Sequence, residues 1–365
     1  MNSGLKILIA GGGTGGHIFP ALAVARELKK RHGAELLFVG TARGMESRLV
    51  PEAGFELRLI DVGPLKSVSL LTRLKTLALV PNSMLSCRRI LREFDPDAVL
   101  GVGGYASGPA MLIALALKIP AMAFEPNAMP GLANRLVGKR VQAAAINFPA
   151  AARWFRNAEV TGIPVRPEFF GLGSPSGPPH LLVFGGSQGA RILNENMPRV
   201  IGPLFDAVPG LAVLHQCGAR HVETTHAGYA ASGADPERWR VEAFLDDMAA
   251  QIGRAHLVLS RSGASTVAEL AAAGKPALLV PFAAATDEHQ RRNAAAMVNA
   301  GAAAMLLEDE VQGKLLETLR GLLTAPDRLA AMGQAALTQA HPGAAERIAD
   351  KLAELGKQRV SESAG

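Results

Sequence analysis

Short apolar runs, separated by glycine-rich turns and helical stretches, recur along most of the chain. Lys6–Ala10, Leu36–Val39, Ala98–Val102 and Ala121–Phe124 are such runs, followed by Leu181–Phe184, Val213–Leu214, Val241–Leu245, Leu257–Leu259 and Ala277–Val280. They are largely continuous rather than alternating, the pattern of parallel strands buried on both faces. Helical stretches lie between them. Ile18–His32 follows the first strand, and Ala264–Ala273 is Ala-rich without Gly or Pro. Gly274 offers the left-handed residue that ends such a helix. Strand, turn, helix and strand in this order form the crossover unit of a parallel sheet.

The turns after several strands are themselves patterned. Gly11–Gly16, Gly101–Gly104 and Gly185–Gly189 are glycine-rich, and Ser260–Gly263 is a tight polar turn. Gly11 and Gly185 open equivalent units, and Val160–His180 between the halves holds five prolines and four glycines, the composition of a linker. A chain of 365 residues exceeds one ordinary core. The expectation is an α/β protein of two doubly wound domains facing each other across a cleft, residues 1–163 and 164–340. A final helical stretch covers Ala335–Leu355, and a C-terminal helix of about 341–357 is expected to pack back on the first domain.

Charge adds an asymmetry. Residues 1–160 carry +9 and residues 161–365 carry −3, which points to an anionic partner on the first half (a phosphate-bearing substrate, an anionic membrane surface or nucleic acid) or else to a merely solvated face. Pro64–Phe94 is apolar at helical spacing and also basic (Lys66, Arg73, Lys75, Arg88, Arg89, Arg92), with Pro81 expected to split it into two helices. It reads either as packing helices with solvated charges or as a face that meets a membrane surface. No run reaches the roughly 18–20 apolar residues of a membrane span, and no signal peptide is read at the start. Cys87 and Cys217 are far apart, which points to a reducing compartment without a disulfide framework.

Glycine-rich turns at the carboxyl ends of parallel strands point unpaired N–H groups and helix N-termini at a ligand, an arrangement suited to phosphate. Gly11-x-Gly13-x-x-Gly16 formally matches a dinucleotide fingerprint, yet Gly40-Thr41 stands where the ribose-binding acid is expected, which demotes a nicotinamide enzyme. No Walker lysine follows any turn, so a bound diphosphate suggests an activated sugar. His17 begins a helix, whose dipole keeps an imidazole neutral and able to take a proton from a hydroxyl, or it merely caps the turn. Glu269 can accept both hydroxyls of a ribose or simply be a solvated carboxylate; Arg166 and Arg261 can meet phosphates or nearby acids. Asp287-Glu288-His289-Gln290 can hydrogen-bond a sugar or cap a helix, and Asp95-Pro96-Asp97 precedes a strand and reads as a turn, not a metal site.

Seven segments then act together: GGGTGGHIFP (Gly11–Pro20), GVGGYASGPA (Gly101–Ala110), GIPVR (Gly162–Arg166), FGGSQGAR (Phe184–Arg191), FLDDM (Phe244–Met248), the Arg261–Phe282 stretch and DEHQRRNA (Asp287–Ala294). In content and order they resemble the MurG family, the peptidoglycan N-acetylglucosaminyltransferases of bacteria. The resemblance implies a GT-B fold of two Rossmann-like domains. It implies inverting transfer of N-acetylglucosamine from UDP-GlcNAc to the C4 hydroxyl of the muramyl sugar of undecaprenyl-linked lipid I, giving lipid II and UDP. No cofactor or metal is implied. By motif match, Thr14, Gly15, Gly16, Asn127, Arg166, Ser187, Leu245, Ala264, Ser265, Thr266, Val267, Ala268, Glu269 and Gln290 become donor contacts. Glu269 takes the ribose and the backbone of Leu245 the uracil. His17 becomes the base, and Gly103, Gly104 and Tyr105 lie on the acceptor side. Phe124-Glu125-Pro126-Asn127 departs from the His-Glu-Gln-Asn that many members carry.

The implied location is peripheral, at the cytoplasmic face of the cell membrane, against its anionic lipid and in company with other cell-wall enzymes. A different UDP-sugar enzyme on the same fold, a glycolipid glycosyltransferase or a UDP-GlcNAc 2-epimerase, is the alternative. A nucleic-acid binder fits poorly, because aromatics are sparse and no recognition motif is present.

Overall fold

In the computed structural model residues 4–13, 15–63 and 70–364 are described, with the side chains of 70–78, 286 and 362–364 set aside. The chain forms two compact units, Met1–Pro164 with Gly343–Gly365, and Val165–Pro342.

The first unit is built on a seven-stranded sheet in the order β3-β2-β1-β4-β5-β6-β7, each pairing parallel. Its strands are β1 (Lys6–Gly11), β2 (Glu35–Gly40), β3 (Glu56–Leu59), β4 (Ala98–Gly103), β5 (Ala121–Glu125), β6 (Ala143–Ile146) and β7 (Ala158–Val160). The helices between them are α1 (Gly15–His32), α2 (Glu46–Glu52), α3 (Leu70–Phe94), α4 (Ser107–Ala116) and α5 (Leu132–Val137). Ile7, Leu8, Ile9 and Ala10 are all fully buried, so β1 has covered faces on both sides, as its unbroken apolar run requires. Strand order reverses between β1 and β4, which makes the carboxyl ends of those two strands a topological switch point.

The second unit repeats the design with six strands, β10-β9-β8-β11-β12-β13, again parallel. They are β8 (His180–Phe184), β9 (Ala212–Gln216), β10 (Trp239–Glu242), β11 (Leu257–Ser260), β12 (Ala277–Leu279) and β13 (Ala303–Met305). Around them lie α6 (Arg191–Ala207), α7 (Val222–Ala231), α8 (Met248–Arg254), α9 (Ala264–Ala272), α10 (His289–Asn299), α11 (Glu308–Leu323) and α12 (Pro326–Leu337). Its switch point lies between β8 and β11.

Three expectations are corrected. Pro81 does not split α3, which runs through it from Leu70 to Phe94. Proline removes one backbone donor. Ser83, two residues on, is buried and gives its hydroxyl to Leu79 O within the helix and to Asp61 O outside it, so that turn stays tied to the unit. The run Ala335–Leu355 is not one helix: α12 ends at Leu337, and the last helix, α13 (Ala344–Ala364), begins after Pro342-Gly343. A helix rarely continues through such a pair. The strand expected to reach Leu245 ends at Glu242, and residues 243–245 leave the sheet as a loop.

The last helix belongs to the first unit. It packs on α1 and β4, and Arg347 donates to Thr161 O (2.6 Å), while Arg31 and His32 both reach Asp350 (2.7 and 2.8 Å). These surface pairs are worth little singly; the buried face of Ile348, Ala349, Leu352 and Ala353 holds the helix in place. Asp95-Pro96-Asp97 is a turn, as read: Asp95 is left-handed (φ 46°), and Asp97 accepts the Lys6 N–H (2.8 Å) at the amino end of β4.

Candidate active site

In the first unit two glycine-rich turns interlock at the switch point. The β1–β4 register shifts at Ala10/Gly11, and Gly12 N–H donates to Gly103 O (3.3 Å). Gly104 sits so tightly on the Gly12 carbonyl that no side chain fits there. The helix that follows the first turn opens at Gly15, so Gly15, Gly16 and His17 form its first turn. His17 is half-buried, with Nε2 only 3.0 Å from the place a Cβ on Gly103 would occupy. His17 and the Gly103–Gly104 turn are thus held edge to edge. Tyr105 is half exposed beside them. Thr14 lies outside the described residues.

The next strand end, β5, carries a residue that the motif reading passed over. Glu125 is buried, and its carboxylate accepts from Asn127 N–H (3.0 Å), Asn127 Nδ2 (3.2 Å), Gly131 N–H (3.1 Å) and Asn134 Nδ2 (3.0 Å). Burial pushes its pKa up, and those four donors pull against it. Glu125 therefore sets the side chain of Asn127. Its position, the last residue of a strand whose end borders a switch point, was the available signal.

In the second unit Ser187 is exposed on the turn after β8, next to the Ser260–Gly263 turn after β11. Gly189 has φ +74°, and a Cβ there would land on the Cys217 carbonyl, so this position requires glycine. A buried relay fixes that carbonyl. Asn194 Nδ2 donates to Cys217 O (2.9 Å), His215 Nε2 donates to Asn194 Oδ1 (3.1 Å), and the Tyr229 hydroxyl donates to His215 Nδ1 (3.1 Å). Desolvation holds the His215 pKa down at about 3, so the ring stays neutral and the relay keeps one direction. Sequence reading gave no hint of it.

Helix α9 follows the second turn. Its first residues, Ala264, Ser265 and Thr266, present N–H groups, and the Ser265 hydroxyl is buried without a hydrogen-bond partner. Val267 is buried in the core and Ala268 is half-buried. One turn on, Glu269 is half-buried in a site that pushes its pKa up to about 7; desolvation dominates, Arg166 opposes it and Glu168 adds to it. Arg166 pairs with Glu168 (3.0 Å) and lies over the Phe169 ring, and the Pro167–Phe169 turn packs on α9. Leu245 is half-buried in the loop after β10.

The loop after β12 is clipped to the same turn. Ser262 Oγ donates to Gln290 O (2.9 Å), and Phe282 N–H donates to Gln290 Oε1 (3.0 Å). Asp287 and Glu288 are both left-handed (φ 54° and 52°) just before α10. Arg261 has met an acid, not open space: it pairs with Glu308 and donates to Val280 O (3.1 Å), and Glu308 accepts the Ala283 N–H (3.2 Å).

Comparison with known proteins decides the family. The glycosyltransferase family 28 N-terminal domain matches residues 7–146 and the C-terminal domain of that family matches residues 180–348. A protein of Anaeromyxobacter sp. (strain Fw109-5), named UDP-N-acetylglucosamine--N-acetylmuramyl-(pentapeptide) pyrophosphoryl-undecaprenol N-acetylglucosamine transferase, is 47% identical over 99% of this chain and 96% of its own. The chain belongs to the MurG family. A Myxococcus xanthus (strain DK1622) relative of the same name is 42% identical over 96% of this chain and 93% of its own. The crystal structure of Acinetobacter baumannii MurG superposes with a TM-score of 0.82 at 31% identity, covering 96% of this chain and 99% of that one. With its two parallel sheets, the chain has the two-domain GT-B architecture of MurG.

Proposed function

We propose that this chain transfers N-acetylglucosamine from UDP-GlcNAc to the C4 hydroxyl of the muramyl sugar of undecaprenyl-linked lipid I, with inversion, giving lipid II and UDP. The observation that carries the reading is the near full-length identity to transferases named for this reaction. The local geometry supports its parts. Glu269 accepts the ribose hydroxyls, with Arg166 beside it. Ser187 and the α9 N-terminus meet the diphosphate, and Leu245 offers its backbone to the uracil. By motif match, Gly15, Gly16, Asn127 and Gln290 complete the donor contacts, together with Thr14, which lies outside the described residues. The acceptor oxygen attacks the anomeric carbon from the face opposite UDP. The bond from that carbon to the phosphate oxygen breaks, its electron pair leaves on UDP, and His17 takes the hydroxyl proton. N–H groups aimed at the diphosphate stabilise the charge that develops on it.

The purified chain, given labelled UDP-GlcNAc and lipid I in detergent, should form lipid II and UDP in equal amounts. Without lipid I it should release little UDP and no UDP-ManNAc. Free conversion to the mannose epimer would instead establish the epimerase alternative.

The lipid-linked acceptor calls for a peripheral site at the cytoplasmic face of an anionic membrane. No helix among the described residues is long and apolar enough to cross a membrane. Of the segment expected to meet the lipid, residues 64–69 and the side chains of Leu71, Arg73, Leu74, Lys75 and Leu77 lie outside the described residues. Its described end exposes Leu79 and Leu85 together with Arg88, Arg89 and Arg92, an apolar and cationic surface. Co-sedimentation with vesicles should require anionic lipid and fall steeply with salt. Binding to neutral vesicles alone, indifferent to salt, would remove the electrostatic part of this reading.

A further inference from the structure

The first glycine-rich turn reads in sequence as a cradle for a phosphate, but in the fold an anion of the chain itself fills part of it. Glu46, the first residue of α2, is fully buried. Its Oε2 accepts the Gly13 N–H at 2.8 Å, and its Oε1 accepts both the N–H and the hydroxyl of Thr41, each at 2.9 Å. Gly12, Gly40 and Gly44 all close upon this side chain: a Cβ at any of the three would overlap it. Three glycines, one in the first turn, one ending β2 and one just before α2, therefore make room for one carboxylate. The Gly13 N–H, which a bound phosphate would need, is already taken. A second negative group at that spot would meet the Glu46 carboxylate at close range.

We propose that Glu46 is a positioning residue, an internal anion that holds the first glycine-rich turn in the shape that seats His17 against Gly103. The turn has few alternatives while Glu46 is in place. Gly13 is held through its N–H by Glu46 and through its carbonyl by the Met45 N–H (3.4 Å), and Gly12 is tied to Gly103. Only Thr14 separates this clamp from the helix that carries His17. Glutamate suits the place because one carboxylate accepts on both oxygens. Glutamine has a single acceptor oxygen, and its NH2 would face either the Gly13 or the Thr41 N–H, leaving a donor against a donor.

The inference rests on the proposed role of His17, and a double-mutant cycle separates the two. Glu46→Gln should lower kcat by about 10- to 100-fold, since a displacement of about 1 Å at a reacting group costs that much, and raise donor KM by less, because Gly15 and Gly16 follow the same turn. In a His17→Ala background the same change should have no further effect on kcat. The ring signals of His17, followed by NMR, should move in Glu46→Gln while the variant stays folded at the assay temperature, with a lower melting temperature from the donor left against a donor. If Glu46→Gln does not fold, Thr41→Val, which removes one donor to the same carboxylate, is put through the same cycle with a smaller expected loss. An unchanged kcat in a folded variant, or an equal loss with and without His17, overturns the proposal. If His17→Ala alone leaves kcat intact while the His17 signals still move in Glu46→Gln, the base assignment has failed and the positioning has not.

Discussion

Replacing His17 by alanine is expected to lower kcat by about 10²- to 10⁴-fold, the usual range for loss of a general base, while the donor KM stays within about threefold. The expectation follows from place. His17 lies in the first turn of α1, and its Nε2 edge is pressed against the Gly103 turn of the same unit. Glu269, Arg166 and the α9 N-terminus, to which the ribose and diphosphate contacts are assigned, belong to the other unit, and the donor contacts assigned to Gly15, Gly16 and Asn127 in the first unit are left in place by the change. A residue that touches only the attacking hydroxyl removes transition-state stabilisation without loosening the ground-state donor complex. Steady-state kinetics with UDP-GlcNAc varied at saturating lipid I give the test. Equal losses in kcat and donor affinity would make His17 a binding residue, and no loss would remove it from the chemistry.

Much of this arrangement was legible in the sequence, for one physical reason. Parallel strands covered on both faces must be continuously apolar, so Lys6–Ala10, Leu181–Phe184 and Leu257–Leu259 announced themselves, and the turns at their carboxyl ends marked the switch points. What the pattern hid were polar residues whose partners are distant in sequence. Glu46 opens α2 just after the polar stretch 41–45, which looks like any solvated connection, yet its carboxylate is buried against Gly13, 33 positions earlier. The relay through Asn194, His215 and Tyr229 joins two helices and a strand that no local window contains. Arg261 offered two readings, and the choice between phosphate and acid depended on Glu308, 47 residues on in the sequence. Pro81 misled in the opposite sense. The rule that proline ends a helix is local, whereas the helix is kept by its buried face, with Cys87, Ile90 and Leu91 in the core.

Donor binding should strengthen as pH rises through 7, and Glu269 is the reason. Burial raises its pKa from the ordinary carboxylate value to about 7, so the free site is mainly neutral below that pH and mainly ionised above it. A ribose diol offers two hydroxyl protons, and an ionised carboxylate accepts both without rearrangement. Going from about pH 6 to about pH 8 raises the ionised fraction about tenfold, which sets an upper limit of about tenfold on the fall in donor Kd. Binding should release a proton near pH 7, visible by calorimetry in buffers of different ionisation enthalpy. Glu269→Gln should abolish both the pH trend and the proton release. Glu269→Ala should weaken the donor by about 10- to 100-fold, the worth of hydrogen bonds to a charged group. The sign for stability is opposite. An acid whose folded pKa is raised makes the folded state less stable as pH climbs from the unfolded value towards 7, and that loss persists above it. Glu269→Gln should therefore melt no lower than the parent at pH 8 while binding UDP-GlcNAc less well. A donor Kd that is flat from about pH 6 to about pH 8 in the parent chain would take the ribose away from Glu269.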